Sequence, residues 1–288
     1  MLKRALTALL GLTALAGMQP AAAQPAAPAQ PAAAAAPEMA LWRLDCGEVN
    51  FTDFNAFFSD TSEYPSGPKR LVASCYLIRH GDRYLLWDTG LPAGLIGNPN
   101  SNPVMTASMR VSIVDQLRQI GVRPEQVAMV GISHYHFDHI GQLAQFPHAR
   151  LLIGAGDLAA LRGTEPGVPR EPFARWLTGG GEVTGVGGDH DVFGDGRVVM
   201  LNLPGHTPGH HGLLVRLPGR SFLLTGDLYH FTEQVERRGV PPFNTSRAET
   251  LASMDRFDRL ARNLRATPII QHEPADIAKL PAFPEPAR

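Results

Sequence analysis

Residues 131–141 read GISHYHFDHIG, and an apolar run over residues 127–132 leads straight into them. The stretch presents His134, His136, Asp138 and His139, four metal-ligand types in six residues. Alternate positions on an extended chain point the same way. His134 and His136 can therefore reach one cation together, while Asp138 and His139 fall at the turn into the next helix and can serve a second. A lone histidine is usually a satisfied core or surface residue. Three imidazoles and a carboxylate crowded at a strand end would desolvate and repel one another without a compensating cation.

Further ligand types stand at the ends of other apolar runs. Residues 198–203 lead into PGHTPGH (residues 204–210), whose prolines and glycines fix a tight turn that can aim His206 inward. Residues 221–225 end in Gly226-Asp227, and Ile269-Ile270-Gln271 ends in His272. Each alone has an ordinary structural reading. With the first cluster they complete two coordination shells: His134, His136 and His206 around one ion, Asp138, His139 and His272 around the other, and Asp227 between them. Ligands at strand ends are the expected way to build a site on a rigid scaffold.

Imidazole dominates this donor set, with some carboxylate and no thiolate, which favours zinc; iron, manganese and cobalt also fit. Two divalent ions bring four positive charges, two aspartates remove two, and a bridging hydroxide removes one. The site stays net positive, suited to an electron-rich carbonyl or phosphoryl oxygen, and it lowers the pKa of the bridging water towards neutrality.

Around these points the chain alternates short apolar runs with helical patterns. Strands are expected over residues 72–79, 84–87, 128–132, 151–154, 198–203, 212–217 and 221–225, and helices over 108–120, 139–145, 157–161 and 247–264. The last helix has Ser246 and Glu249 at capping-box spacing. Hairpin strands mixed with helices predict an α/β layered domain. Residues 179–188 are glycine-dense and read as a surface connection. No G-x-G-x-x-G stands between a strand and a helix there, which argues against a phosphate cradle.

The chain has 288 residues, 44% of them hydrophobic, enough for one large domain with its own core. Lys and Arg number 26 against 27 Asp and Glu, so no basic excess points to nucleic acid. Lys3 and Arg4, an apolar run over residues 5–17 and Ala21-Ala22-Ala23 have the layout of a secretory signal peptide over residues 1–23. The alternative is an uncleaved membrane anchor, for which the run is short. Residues 24–38 are nearly all Ala, Pro and Gln and read as a disordered linker. A single domain over residues 39–288 is expected, periplasmic or secreted and without stable membrane insertion after processing. Cys46 and Cys75 can pair in such a compartment if their Cα atoms lie within about 7 Å; otherwise they are two small buried hydrophobes.

The H-x-H-x-D-H stretch, the PGHTPGH turn, Gly-Asp and the late His272 together resemble the metallo-β-lactamase superfamily. The likeness covers most of residues 41–273. It implies a four-layer αβ/βα sandwich with a dinuclear site along one edge of two sheets. LWRLDCGEVN (41–50), ASCYLIRHGDRYLLWDTGLP (73–92), LLTGDLYHF (223–231) and PPFN (241–244) resemble exported members of the N-acyl homoserine lactonase branch. That resemblance implies lactone ring opening through a metal-bridging hydroxide, with Asp138 able to carry a proton to the leaving alkoxide. Lactonases of that branch place a tyrosine three residues after the bridging aspartate. Here the position is His230, with Tyr229 one residue earlier; His230 is the first candidate for a donor to the substrate oxygen and Tyr229 the second.

An apolar acyl chain needs an apolar groove, for which Phe51, Phe54, Phe57 and Phe58, or Leu95, Ile96, Val104 and Met105, are candidates. The loop over residues 91–109 is long for a compact domain, which places it beside the site or at a homodimer interface. Other readings are an organophosphate triester hydrolase, a β-lactamase (which usually lacks the bridging aspartate), a glyoxalase-II-type thioesterase, and a non-catalytic metal-binding protein.

Overall fold

Two twisted sheets face each other, and helices cover their outer sides. The structure, a computed structural model, describes residues 37–288. The expected signal peptide and all of the linker but its last two residues lie outside the described residues. The first sheet comprises β1 (Met39–Phe51), β2 (Lys69–His80), β3 (Arg83–Trp87), β4 (Asn100–Ser101), β5 (Met105–Ser108), β6 (Val127–Ile132), β7 (Arg150–Gly154) and β8 (Val183–Val186). Their order is β4-β5-β1-β2-β3-β6-β7-β8, antiparallel from β4 to β3 and parallel from β3 to β8. The second sheet runs β13-β12-β11-β10-β9, from β9 (His190–Asp191), β10 (Val198–Asn202), β11 (His211–Leu217), β12 (Arg220–Leu224) and β13 (Thr267–Ile269).

The core explains the layering. Leu41, Tyr76, Ile78, Leu85 and Trp87 of the first sheet pack against Met200, Leu213, Val215, Phe222 and Leu224 of the second. The first sheet's other face, with Ala40, Leu44, Leu77 and Leu86, packs on Phe54 and Phe58 of α1 (Phe54–Phe58), Ile113 and Leu117 of α2 (Ile113–Gln119), Leu158 and Leu161 of α4 (Ala155–Arg162) and Trp176 of α5 (Ala174–Leu177). The second sheet's outer face, with Leu201, Leu203, Leu214 and Leu223, is covered by Met254 and Phe257 of α7 (Arg247–Leu264). Two short helices remain: α3 (Phe137–Ile140) in the decisive stretch and α6 (Thr232–Arg237) after Asp227. This is the expected four-layer α/β sandwich.

The expected strands form with bounds shifted by one to three residues, and α7 occupies its expected span, with Ser246 Oγ accepting from the Glu249 amide. Three differences have physical causes. β1 was not anticipated because its alternation changes phase at Gly47: Trp42, Leu44 and Cys46 are buried between Arg43 and Asp45, but beyond the glycine the buried positions are Val49 and Phe51. Its register shifts between Asp45 and Glu48 at Gly47, whose φ is 111° and whose added Cβ would meet Ser108 O at 2.8 Å. The glycine-dense stretch is not only a connection, since β8 lies inside it and pairs with β7. Finally, α2 starts at Ile113, capped by Ser112, because the preceding residues form β5 against β1. Cys46 and Cys75 are disulfide-bonded, their Cα atoms 5.9 Å apart, which joins β1 to β2. Among the described residues no helix is long and apolar enough to cross a membrane.

Candidate metal centre

The seven side chains singled out in sequence converge where the two sheets' strand ends meet. His134, His136, Asp138 and His139 follow β6; His206 follows β10, Asp227 follows β12 and His272 follows β13. One potential ligand atom from each of His134, His136, His206 and Asp227 lies within 4.8 Å of the others, and Asp138, His139 and His272 form a second such group. His206 Nε2 is 3.2 Å from His134 Nε2 and 2.9 Å from His136 Nδ1. Asp227 stands between the groups. Its Oδ1 is 2.9 Å from His272 Nε2 and 3.1 Å from His139 Nε2, and its Oδ2 is 3.4 Å from His206 Nε2 and 3.6 Å from His134 Nε2.

The outer ring nitrogens show what the inner ones do. His139 Nδ1 donates to Asp88 Oδ2 at 2.9 Å, and His272 Nδ1 to the Val72 carbonyl at 2.8 Å. His206 Nδ1 donates to Asn244 Oδ1 at 2.9 Å, the Asn244 amide being oriented by its own donation to Thr250 Oγ1. Each ring thus places its proton outside and can turn an Nε2 lone pair inward. That is the wiring by which proteins orient metal-bound histidines. Lone pairs facing one another at about 3 Å in a buried site need a positive charge among them. The donor set fits a pair of divalent cations.

Electrostatics divide the cluster into two sides. Burial opposes charge on Asp227, but His139, His272 and His134 outweigh it and hold the carboxyl well below its ordinary range. Burial lowers His139 and His272 too, yet Asp227, with Asp88 at His139, holds both above the usual imidazole value. His134 and His136 are driven well below it by burial and by neighbouring imidazoles. The cluster therefore keeps neutral, donor-ready rings on one side of an ionised bridge.

Several supporting residues carry no sequence motif of their own. Asp88, fully buried at φ 58°, accepts from the Ser133 amide (2.6 Å), Ser133 Oγ (2.8 Å), His139 Nδ1 and Gln271 Nε2 (2.7 Å). Asp157 in α4 accepts from Thr207 Oγ1 at 2.9 Å and the Gly209 amide at 2.6 Å, and so pins the turn that carries His206. Burial pushes its carboxyl up to about 7. His210, the second histidine of that turn, donates from Nδ1 to the Leu203 carbonyl and accepts the Asp227 amide at Nε2, 2.9 Å. Of these, only His210 stood inside a ligand stretch; Asp88 and Asp157 are remote from those stretches in sequence.

Tyr229 and His230 part company. The Tyr229 hydroxyl donates to Asp258 at 3.1 Å and its ring packs in the α7 core, away from the ligands. This corrects its candidacy as a substrate contact: the chain is extended there, so neighbours face opposite sides. His230 turns towards the site, with Nε2 3.2 Å from Asp227 Oδ2.

Above the ligands lies a cleft of about 280 Å³. Phe51, Phe57, Phe58, Met105 and Phe243 form its apolar wall, and His136, Asp138, Asp227, His230 and His272 its floor. Of the other groove candidates, Phe54 instead packs on Tyr64 and Phe231, and Leu95, Ile96 and Val104 do not line the cleft.

Comparison with known proteins places this geometry in a wider set. The family model of the metallo-beta-lactamase superfamily matches residues 68–267. The N-acyl homoserine lactonase AttM of Rhizobium radiobacter is 31% identical over 189 residues, spanning 59% of this chain and 68% of that protein. The N-acyl homoserine lactonase of Bacillus cereus is 27% identical over 232 residues, 77% of this chain and 89% of that protein. Among solved structures, an N-acyl homoserine lactone hydrolase with N-hexanoyl-L-homoserine at its catalytic metal centre superposes with a TM-score of 0.73 at 24% identity, covering 86% of this chain and 98% of that one. AidC, a dizinc quorum-quenching lactonase, superposes with a TM-score of 0.66 at 15% identity, covering 87% and 90%.

Proposed function

Because the chain belongs to the metallo-β-lactamase superfamily, we propose that it is a dizinc hydrolase that opens the ring of N-acyl homoserine lactones. The observation that carries this reading is the buried bridge of Asp227 between two histidine groups at the floor of an aromatic cleft. His134, His136, His206 and Asp227 would hold one ion, and Asp138, His139, His272 and Asp227 the other. When bound, two divalent cations polarise an ester carbonyl and bring a water's pKa towards neutrality. Imidazole-rich donors without thiolate favour zinc among the candidates.

The chain's own residues supply position and proton traffic. The aromatic wall takes an apolar acyl chain and keeps bulk water off the scissile carbonyl. Asp138, whose side chain is 15% exposed at the cleft floor, can accept a proton and hand it to the leaving alkoxide. Lactonase names among the relatives support the substrate assignment. Export to the periplasm or beyond is part of the reading, supported by the signal-peptide layout of residues 1–23 and the pairing of Cys46 with Cys75. An unprocessed chain in the cytoplasm would overturn that part.

The test counts metal per chain and assays the same preparation on a long-chain acyl homoserine lactone, a cephalosporin and a phosphotriester. Two metals per chain and fastest turnover of the lactone are expected. Preference for either other substrate would overturn the substrate assignment, and an active preparation without metal would overturn the whole reading.

A further inference from the structure

His230 is wired like the metal ligands. Its Nδ1 lies 3.1 Å from Gln234 Oε1, which also accepts the His230 amide at 2.7 Å. The Gln234 amide cannot be turned the other way, because its Nε2 donates to the Gly239 carbonyl at 2.9 Å. An amide oxygen offers no proton, so His230 Nδ1 must donate. In the neutral ring Nε2 is then a bare lone pair. It faces Asp227 Oδ2, itself an acceptor, at 3.2 Å.

Two acceptors this close in a buried site repel unless a cation lies between them. Their separation has a simple counterpart. Ligand atoms about 2.1 Å from one zinc ion, at roughly tetrahedral angles, stand about 3.0–3.5 Å apart. His206 Nε2 and His134 Nε2 show the same spacing, 3.2 Å. Oδ2 is also the Asp227 oxygen on the His134 and His206 side of the bridge, and the His230 and His206 ring centres are 5.3 Å apart.

We propose that His230 Nε2 is an additional nitrogen donor to the cation on the His134–His136–His206 side, and that Gln234 is the positioning residue that fixes the ring for it. The proposal rests on the two-cation reading above. It reverses the part expected of His230: a ring locked with its proton on Nδ1 accepts at Nε2 and does not donate to a substrate oxygen.

The test uses the full chain loaded with cobalt(II), whose visible bands report coordination number. His230→Phe is expected to change those bands towards a lower coordination number and to speed metal loss to a chelator about tenfold or more. Gln234→Leu should move both readouts the same way, and Gln234→Glu, which keeps an acceptor facing Nδ1, should restore them. A wild-type chain holding two metals whose cobalt spectrum is unchanged by His230→Phe overturns this inference and leaves the two-cation reading standing. A wild-type chain that holds no metal overturns both. Should the variants fail to fold, long-range ¹⁵N–¹H correlations on the ¹⁵N-histidine-labelled, zinc-loaded wild type decide: a proton on Nδ1 and a metal-shifted Nε2 support the assignment, and a proton on Nε2 overturns it.

Discussion

At the scale of single residues, the centre separates side chains that meet the site from neighbours that only build its surroundings. Tyr229 and His230 are adjacent, yet one anchors α7 through Asp258 and the other faces Asp227. Tyr229→Phe is therefore expected to leave turnover within about twofold of wild type and to cost about 1 kcal/mol of stability, the worth of one hydrogen bond. Chemical denaturation and initial rates on one preparation check both, and a tenfold fall in rate would return Tyr229 to the site. The seven ligand types were legible because chemistry that needs His and Asp at strand ends leaves a local signature. Asp88 was not, although it sits in the quoted WDTG stretch, because its partners Ser133, His139 and Gln271 are remote in sequence. Gln234 stayed hidden for a different reason: one side-chain amide four residues from a histidine has no distinctive pattern.

Among the elements, the same logic holds for turns. The PGHTPGH turn was readable as a device for aiming His206, but not what it rests on. It lies against the start of α4 so closely that a Cβ on Gly154 or Gly156 would run into the backbone of Pro208 and Gly209. Asp157 secures that contact with two hydrogen bonds. Asp157→Ala leaves Thr207 Oγ1 and the Gly209 amide without these partners, and the loss should be about 2–4 kcal/mol. His206 is expected to lose its aim, so metal on its side should leave first. Titration with a chelator should show one of two metals released early, and release of both together at the wild-type rate would contradict the coupling. β1 and β8 mark the opposite limit. The alternation of β1 changes phase at Gly47, and an edge strand with a glycine inside it carries no apolar run, so neither was visible before the sheet was assembled.

For the molecule as a whole, the ligand set spans both halves of the sandwich. His134, His136, Asp138 and His139 come from the first sheet, and His206, Asp227 and His272 from the second. A pair of bound cations would therefore cross-link the sheets at one edge, in addition to the core between them. Anything that binds only the folded chain stabilises it by mass action, about 3–4 kcal/mol at a hundred to a thousand times its dissociation constant. For a chain of this size that is roughly 6–16 °C in Tm. Acid should erode the same margin through a known group. Burial lowers His210 from 6.5 to about 3 in the folded chain, so the unfolded chain takes up that proton first. Stability must then fall as pH drops from about 6.5 towards 3, by up to about 5 kcal/mol from this ring alone. Ligand histidines must also stay unprotonated to hold metal, which adds to the loss. Calorimetry at pH 7.5 and pH 5.5, with and without a chelator, should show the highest Tm for the loaded chain at pH 7.5 and a smaller effect of the chelator at pH 5.5. A Tm at pH 7.5 that the chelator leaves unchanged would mean that these seven side chains do not join the sheets through metal.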